Sequence, residues 1–401
     1  MNHLRGVSTV RFLLVLLSSW LVAACAEPDE EPDGPTDWVV DSNPSPLDDF
    51  LWDLALDDSG LYLAGSDLQF GREDEQWRIE KRSLDTGELL WLQTNNLGYG
   101  LDGAEAVATD DTGVYIVGYG SAGSWRVEKR RLEDGQSIWI KFDDPGASAD
   151  ALDVVVHEEA LFVAGWENVT TEGNVQRLEK RSRETGEIEW QRIEQTTGWH
   201  GSWRSVMADK EVVYVAGTER ENSCGRWRIE KRSASDGETI WSRVGECSPY
   251  GNNSATIAFA ENEQLFVYVS IPDDELHLRS QCERWDPSDG AQLQVVPKYI
   301  DDWKISRLVW SRETVWVKGT QENTVRLGAM GPSDTEVQWI RDLDAVLMEG
   351  WGYNGRAYHE NSLFLAGIFD QNGQSTDAPT DHGWRIIRLL LPPEPPQSGA
   401  L

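Results

Sequence analysis

Apolar and polar positions alternate with period two along most of the chain, in short runs broken by Gly, Asp and Asn. Such runs place successive side chains on opposite faces of a strand. No segment of comparable length carries a helical period. One apolar stretch closed by glycine recurs at Leu61–Gly65, Val114–Gly118, Leu161–Gly165, Val213–Gly217, Val315–Gly319 and Leu363–Gly367, with Leu265–Val269 as a copy lacking the Gly. The steps between the last residues of these stretches are 53, 47, 52, 52, 50 and 48. A second pattern is offset from the first. It reads Trp-Arg-Ile-Glu-Lys-Arg at 77–82, has close copies at 125–130, 176–181 and 227–232, and is degenerate near Cys282, near Val325 and at 384–388. A third is a turn followed by Trp: Asp85-Thr86-Gly87 to Trp91, Asp134-Gly135 to Trp139, Thr185-Gly186 to Trp190, Asp236-Gly237 to Trp241.

Each unit therefore predicts four short strands: A near Ala106–Thr109 in the second unit, B on the apolar-Gly stretch, C on the Arg-x-Glu-Lys-Arg stretch, and D carrying the Trp. Seven units of four strands predict an all-β, seven-bladed β-propeller over 38–391. The last unit has strands A, B and C and then runs into Pro392-Pro393, while a spare strand D, Thr36–Val40, precedes the first strand A. The N-terminal strand is therefore expected to complete the last blade, which removes an open edge.

Glu and Trp stand 11 residues apart four times, at 80/91, 128/139, 179/190 and 230/241. A C–D hairpin with a four-residue turn is expected to set them opposite one another, with the two Arg of each pattern on that same face. Repetition in blade after blade reads as an interblade ion-pair and cation–π ladder, not as one ligand site. The same register opposes Cys224 and Cys247, and predicts a disulfide between them.

Asp85-Thr86-Gly87-Glu88-Leu89-Leu90-Trp91 and its copies resemble the repeats of quinoprotein-like (PQQ-type) propellers. The resemblance implies that each Trp docks on the Gly peptide of an adjacent blade. The small residue that opens the family motif is replaced by Lys81. Quinone enzymes of that family carry adjacent cysteines and a calcium site; this chain has no Cys-Cys pair, so the resemblance is read for architecture and no cofactor is expected. Similar repeats occur in an eight-bladed outer-membrane lipoprotein that scaffolds β-barrel assembly.

The termini change the picture. Arg5 and Arg11 precede an apolar run from Phe12, closed by Val22-Ala23-Ala24-Cys25. Residues 1–24 have signal-peptide proportions, and the tetrad resembles a bacterial lipobox, which implies lipid on Cys25. Diacylglycerol plus an amide-linked chain suffices for stable anchoring. Residues 25–37 read as an acidic, Pro-rich tether and 392–401 as a similar tail. The expected location is the bacterial envelope, with Ala26 leaning to the outer membrane.

Lys+Arg number 36 against 69 Asp+Glu, a formal net charge of −33. That excludes nucleic acid and electrostatic binding to an anionic membrane surface. Nucleophile-elbow, zinc-protease and P-loop patterns are missing, and the six His fall in different units without metal spacing. Acidic turns such as Asp57–Gly60 lack a full calcium loop and read as plain A–B turns.

Repeat-phase packing accounts for ten of the twenty Trp. The connections from D to A hold aromatics outside that phase, and Tyr99, Trp199, Trp203, Trp303, Trp351 and Tyr353 form a candidate patch on the rim shared with the B–C connections. It would take a glycan or a loop of a protein partner, neutral or cationic. The reading is a monomeric, non-catalytic binding or scaffold propeller on a lipid anchor. The alternative is an envelope enzyme of quinoprotein dehydrogenase or polysaccharide-cleaving type.

Overall fold

In the computed structural model the described residues lie between 37 and 390, leaving out 44, 46, 69–73, 97–99, 122, 144–147, 170–172, 195–199, 210, 222–223, 248–253, 261–263, 273–277, 297–303, 312–313, 322–323, 331–338, 344–352, 360–361 and 371–381. The signal segment, Cys25, the tether before Asp37 and the tail from 392 fall outside them. Every regular element among the described residues is a strand.

The strands form seven antiparallel groups of four. Blade 1 is β2 (Asp49–Asp57), β3 (Gly60–Asp67), β4 (Gln76–Arg82) and β5 (Leu89–Asn95). Blade 2 is β6 (Gly103–Asp110), β7 (Gly113–Gly120), β8 (Ser124–Arg130) and β9 (Ser137–Asp143). Blade 3 is β10 (Ser148–His157), β11 (Ala160–Val169), β12 (Gly173–Ser182) and β13 (Ile188–Glu194). Blade 4 is β14 (His200–Asp209), β15 (Val212–Glu221), β16 (Cys224–Ser233) and β17 (Thr239–Val244). A single parallel bridge, Asn174 to His200, links blades 3 and 4 into one eight-stranded sheet. Blade 5 is β18 (Ser254–Ala260), β19 (Gln264–Pro272), β20 (Leu278–Trp285) and β21 (Gln292–Val296). Blade 6 is β22 (Lys304–Ser311), β23 (Thr314–Gln321), β24 (Thr324–Met330) and β25 (Trp339–Leu343). Blade 7 is β26 (Tyr353–His359), β27 (Ser362–Asp370) and β28 (His382–Leu390), with β1 (Trp38–Ser42) as its fourth strand. The first strands β2, β6, β10, β14, β18, β22 and β26 pack each on the next and back to β2, so they form the inner ring.

Blade 7 closes as the spare strand predicts. β1 pairs with β28 from Trp38↔Arg388 to Ser42↔Trp384. Asp41 binds Arg385 (2.6 Å), and Asp48 accepts from the His382 ring at 2.8 Å. Trp38 packs on Gly87 of blade 1 and donates to the Leu84 carbonyl at 3.1 Å.

The repeated glycine of strand B has a steric reason. A Cβ on Gly65 would overlap the carbonyl oxygen of Phe50, and one on Gly118, Gly165 or Gly217 would overlap the matching oxygen in strand A of its blade. Opposite each of these lies a strand A bulge, at Trp52, Glu105, Leu152 and Arg204. Only a residue without a side chain lets the bent strand approach so closely.

The C–D register corrects an expectation. Trp91 pairs with Lys81 and Leu92 with Glu80; blades 2, 3 and 4 repeat this. A bulge just after the turn, between Lys81 and Arg82, adds one residue to strand D and moves every later pair by one. The Trp therefore lies on the face of Trp77 and Ile79, away from Glu80, and joins their apolar cluster with Tyr62, Ala104 and Val107. By the same shift Cys224 and Cys247 are one residue out of opposition. A disulfide nevertheless joins them, with Cα atoms 5.3 Å apart.

Candidate functional site

The most regular chemistry in the chain is the Arg-x-Glu-x-Arg layer of strand C. In blades 1 to 4 both Arg donate through Nε to the intervening Glu, at 2.6–2.8 Å. Glu80, Glu128, Glu179 and Glu230 are each 0% exposed. The second Arg also donates to the turn glycine carbonyl of its own hairpin, as Arg82 does to Gly87 at 3.0 Å. The first Arg reaches the preceding blade's strand D: Arg78 to Ser42, Arg126 to Asn95 and Arg177 to Asp143, each 2.9 Å. Its guanidinium also covers that blade's strand C indole, 4.5 Å for Arg78 on Trp384, 3.8 Å for Arg126 on Trp77 and 4.3 Å for Arg177 on Trp125. The cation–π stacks are those expected, but each Glu is shared within one strand, and interblade ion pairs form in this layer only where strand D offers an acid, as Asp143 does to Arg177 and Glu194 to Arg232. The Glu oxygens are taken up by the two Arg of their own strand, while Arg78 Nη1 and Arg126 Nη1 are buried without a hydrogen-bond partner.

The Trp of strand D docks as the resemblance implies. Trp91, Trp139, Trp190 and Trp241 lie on Gly135, Gly186, Gly237 and Gly290 of the following blade. Each of these glycines has φ between 69° and 75°, a region that favours glycine. Trp91, Trp190 and Trp241 donate to carbonyls of that next turn at 3.0–3.3 Å.

Of the candidate aromatic patch, only Trp203 has a described side chain, and it contradicts the expectation. It sits inside β14, 1% exposed, in the cluster of Phe162, Leu178 and Val206. The reason lies in blade 3, where Gln176 occupies the place of Trp77 and Trp125. Gln176 Nε2 keeps the hydrogen bond to the next blade, donating to Thr218 O at 3.1 Å as Trp77 does to Tyr119 O. The missing volume is supplied by Trp203, whose ring lies 6.0 Å from the Arg228 guanidinium and 5.8 Å from that of Arg232. Tyr353 opens β26, but its side chain, like Tyr99, Trp199, Trp303 and Trp351, lies outside the described residues.

A second cluster escaped the sequence reading. Burial pushes the Asp150 carboxyl up to about 7, against the pull of Arg204. Burial also raises Glu105, and the charges of Asp150, Glu75 and Asp53 add to that rise. Glu75 is raised by burial while accepting from Tyr119 at 3.1 Å. Asp49, buried beside Arg78, rises to about 7. Asp53, Glu105, Asp150 and Arg204 come from the inner strands of four successive blades. Asp53 accepts from the backbone N–H of Val107 at 3.0 Å, and Asp153 from that of Val206 at 2.7 Å, so part of this acid stitches blades together. Among the described residues no group of three or more His, Cys, Asp or Glu is placed to hold a metal.

No protein-family profile matches the chain, and no curated protein does. Solved structures do. A quinohemoprotein alcohol dehydrogenase from Pseudomonas putida matches at TM-score 0.52 and 11% identity, over 90% of this chain and 78% of that one. The hydrazine synthase of Kuenenia stuttgartiensis matches at TM-score 0.52 and 10% identity, over 80% and 92%. The WD40 domain of Toxoplasma gondii coronin matches at TM-score 0.48 and 8% identity, over 90% and 88%. At these identities the likeness is one of fold. The described inner-strand groups whose titration is shifted are mainly carboxyls, with Arg204 as the cation acting on them, and the disulfide spans 23 residues on a hairpin.

Proposed function

We propose that this chain is a non-catalytic binding or scaffold propeller of the bacterial envelope, exported by its first 24 residues and held in the outer membrane by lipid on Cys25. The supporting observation is the use made of its polar side chains. The one strongly repeated charged constellation, Arg-Glu-Arg, is buried between blades. The partner is a protein or a glycan that meets the rim of D–A and B–C connections, where Tyr99, Trp199, Trp303, Trp351 and Tyr353 remain as candidates. It works as a monomer, without a cofactor. Labelling with a clickable fatty acid tests the anchor: wild type is expected to carry it, and Cys25→Ser to lose it together with membrane fractionation. Cross-linking in whole envelopes followed by mass spectrometry tests the module. A reproducible partner cross-linked to rim residues supports it, and recovery of uncross-linked protein alone counts against it.

The enzyme reading keeps one observation in its favour, the raised carboxyls Glu105 and Asp150 on successive inner strands. Polysaccharide cleavage uses one carboxyl held protonated as the acid beside a second that stays ionised, and the charge of Asp150 adds to the rise of Glu105. Glycan cleavage lost in both Glu105→Gln and Asp150→Asn would favour it over a scaffold.

A further inference from the structure

Exposed large apolar side chains in a closed propeller should be scattered singly. Here they are concentrated. All but one of those on the described surface, from Val39 to Val295, belong to the outermost strand of a blade; Leu101 is the exception. The outermost strand is bonded on one side only, so half of its backbone groups point outward. Such edges are usually blunted by charge. β1 carries Asp41, β9 Lys141 and Asp143, β13 Glu189, Arg192 and Glu194, β17 Arg243, and β25 Arg341 and Asp342. β5, Leu-Leu-Trp-Leu-Gln-Thr-Asn, carries none over its seven residues, and exposes Leu89 (47%), Leu90 (52%) and Leu92 (41%). β21 is also uncharged but has five residues and exposes Leu293 and Val295.

The far side of β5 is fixed. Trp91 lies on Gly135 and donates to Leu132 O, and Gln93 donates to Asp134 O at 2.8 Å. The blade therefore holds β5 extended while Leu90 and Leu92 face solvent. Acid surrounds it. Glu88 immediately precedes it and is exposed, Asp85 is 86% exposed although the Arg388 guanidinium lies 3.8 Å from it, and the adjoining turn adds Glu133 and Asp134. The nearby cations are spent: Lys81 is buried and bonded to Ser59 and Leu132 O, and Arg131 binds Asp134. A second copy of this chain would bring the same acid and a formal charge of −33 to the contact.

We propose that the edge of β5 is a docking site for an extended segment of a cationic partner protein, which adds as a strand beside Leu89–Asn95. Main-chain hydrogen bonds supply affinity, alternate apolar side chains cover Leu90 and Leu92, and Lys or Arg between them meet the flanking carboxylates. The site is separate from the loop rim and stands or falls without it.

The probe is a fluorescein-labelled, capped peptide of alternating Lys and Val, compared by anisotropy with its twin N-methylated on alternate residues. The two carry equal charge, but the twin cannot complete a ladder. Expected are a loss of about tenfold or more in affinity on N-methylation, and a similar loss in Leu90→Ser/Leu92→Ser at unchanged melting temperature. Hydrogen exchange on adding the unmodified peptide is expected to slow within residues 89–95. Equal binding of the two peptides would reduce the effect to bulk charge and overturn the proposal. So would protection confined to β21 or to the rim. Dimers that form without peptide and dissolve in the double variant would assign the edge to a second copy and overturn the cationic partner.

Discussion

A single guanidinium in this propeller does three things at once. Arg126 donates to Glu128 at 2.7 Å, to Asn95 of the preceding blade at 2.9 Å, and covers the Trp77 ring at 3.8 Å. Glu128, 0% exposed, receives both Arg126 and Arg130. Removing one partner of a buried pair leaves an unmet charge, which costs about 3–5 kcal/mol. Glu128→Ala should therefore lower stability by that order, measured by urea denaturation; Glu128→Gln should cost less, since its amide oxygen still accepts. Blades 5 and 7 show that the layer can be rebuilt, in blade 5 by another donor to a retained Glu and in blade 7 by exchange of both partners. Trp285 Nε1 donates to Glu283 at 2.8 Å where blade 1 has Arg82, and Ile387 and Leu389 stand where blade 1 has Glu80 and Arg82. The Gln176–Trp203 exchange gives a sharper test. Trp203→Ala opens a cavity in a filled core and should cost about 3–5 kcal/mol. Adding Gln176→Trp should recover part of that loss, because it restores the arrangement of Trp77 and Trp125; no recovery in calorimetry would mean that the two sites are not equivalent.

At the scale of the element, strands and blades were legible because period-two alternation and the step of about fifty residues are local and repeated. The closing strand was legible for the same reason: Trp38 stands in phase with Trp91. The C–D register was not. The bulge between Lys81 and Arg82 adds one residue without a mark in the pattern, and period two turns a one-residue error into the wrong face. The disulfide tolerated the error because Cys224 and Cys247 lie near the open end of their hairpin. Trp203 was misread because only a filled blade interface shows that its neighbour lacks the usual indole. Closure itself makes a quantitative prediction. Deleting residues 26–45 removes β1 and with it the Trp38 dock on Gly87, the Arg78 contact with Ser42 and the ladder to β28. The melting temperature should fall by about 10 °C or more. Deleting 393–401 should change little. Equal stability of the two truncations would show that β1 does not carry closure.

Across the whole molecule, the carboxyls of the inner ring were invisible in sequence because Asp53, Glu105 and Asp150 are about fifty residues apart and meet only when successive blades pack. Their titration sets a pH dependence with a definite sign. Asp49 and Asp150 are pushed up to about 7 by burial, and Glu105 and Glu75 upward for the same first reason. The folded state then binds more protons than the unfolded chain between the ordinary carboxylate range, about 4, and 7. Stability therefore falls as pH rises through that window, and above it the penalty for ionising these groups is complete. Groups held low act in the opposite sense. Glu187, lowered by its hydrogen bond from Lys141, and Asp236, lowered by the backbone N–H of Glu238, lose their contribution only as pH falls below about 4. The formal charge of −33 adds self-repulsion that also grows with pH. The melting temperature is expected to be highest near about pH 5 and to decline steadily to about pH 8. Glu105→Gln removes one raised carboxyl without changing its shape, so it should raise the melting temperature at pH 8, leave it nearly unchanged at pH 5, and flatten the decline between them. A variant profile parallel to that of wild type would show that Glu105 ionises at no cost to the fold.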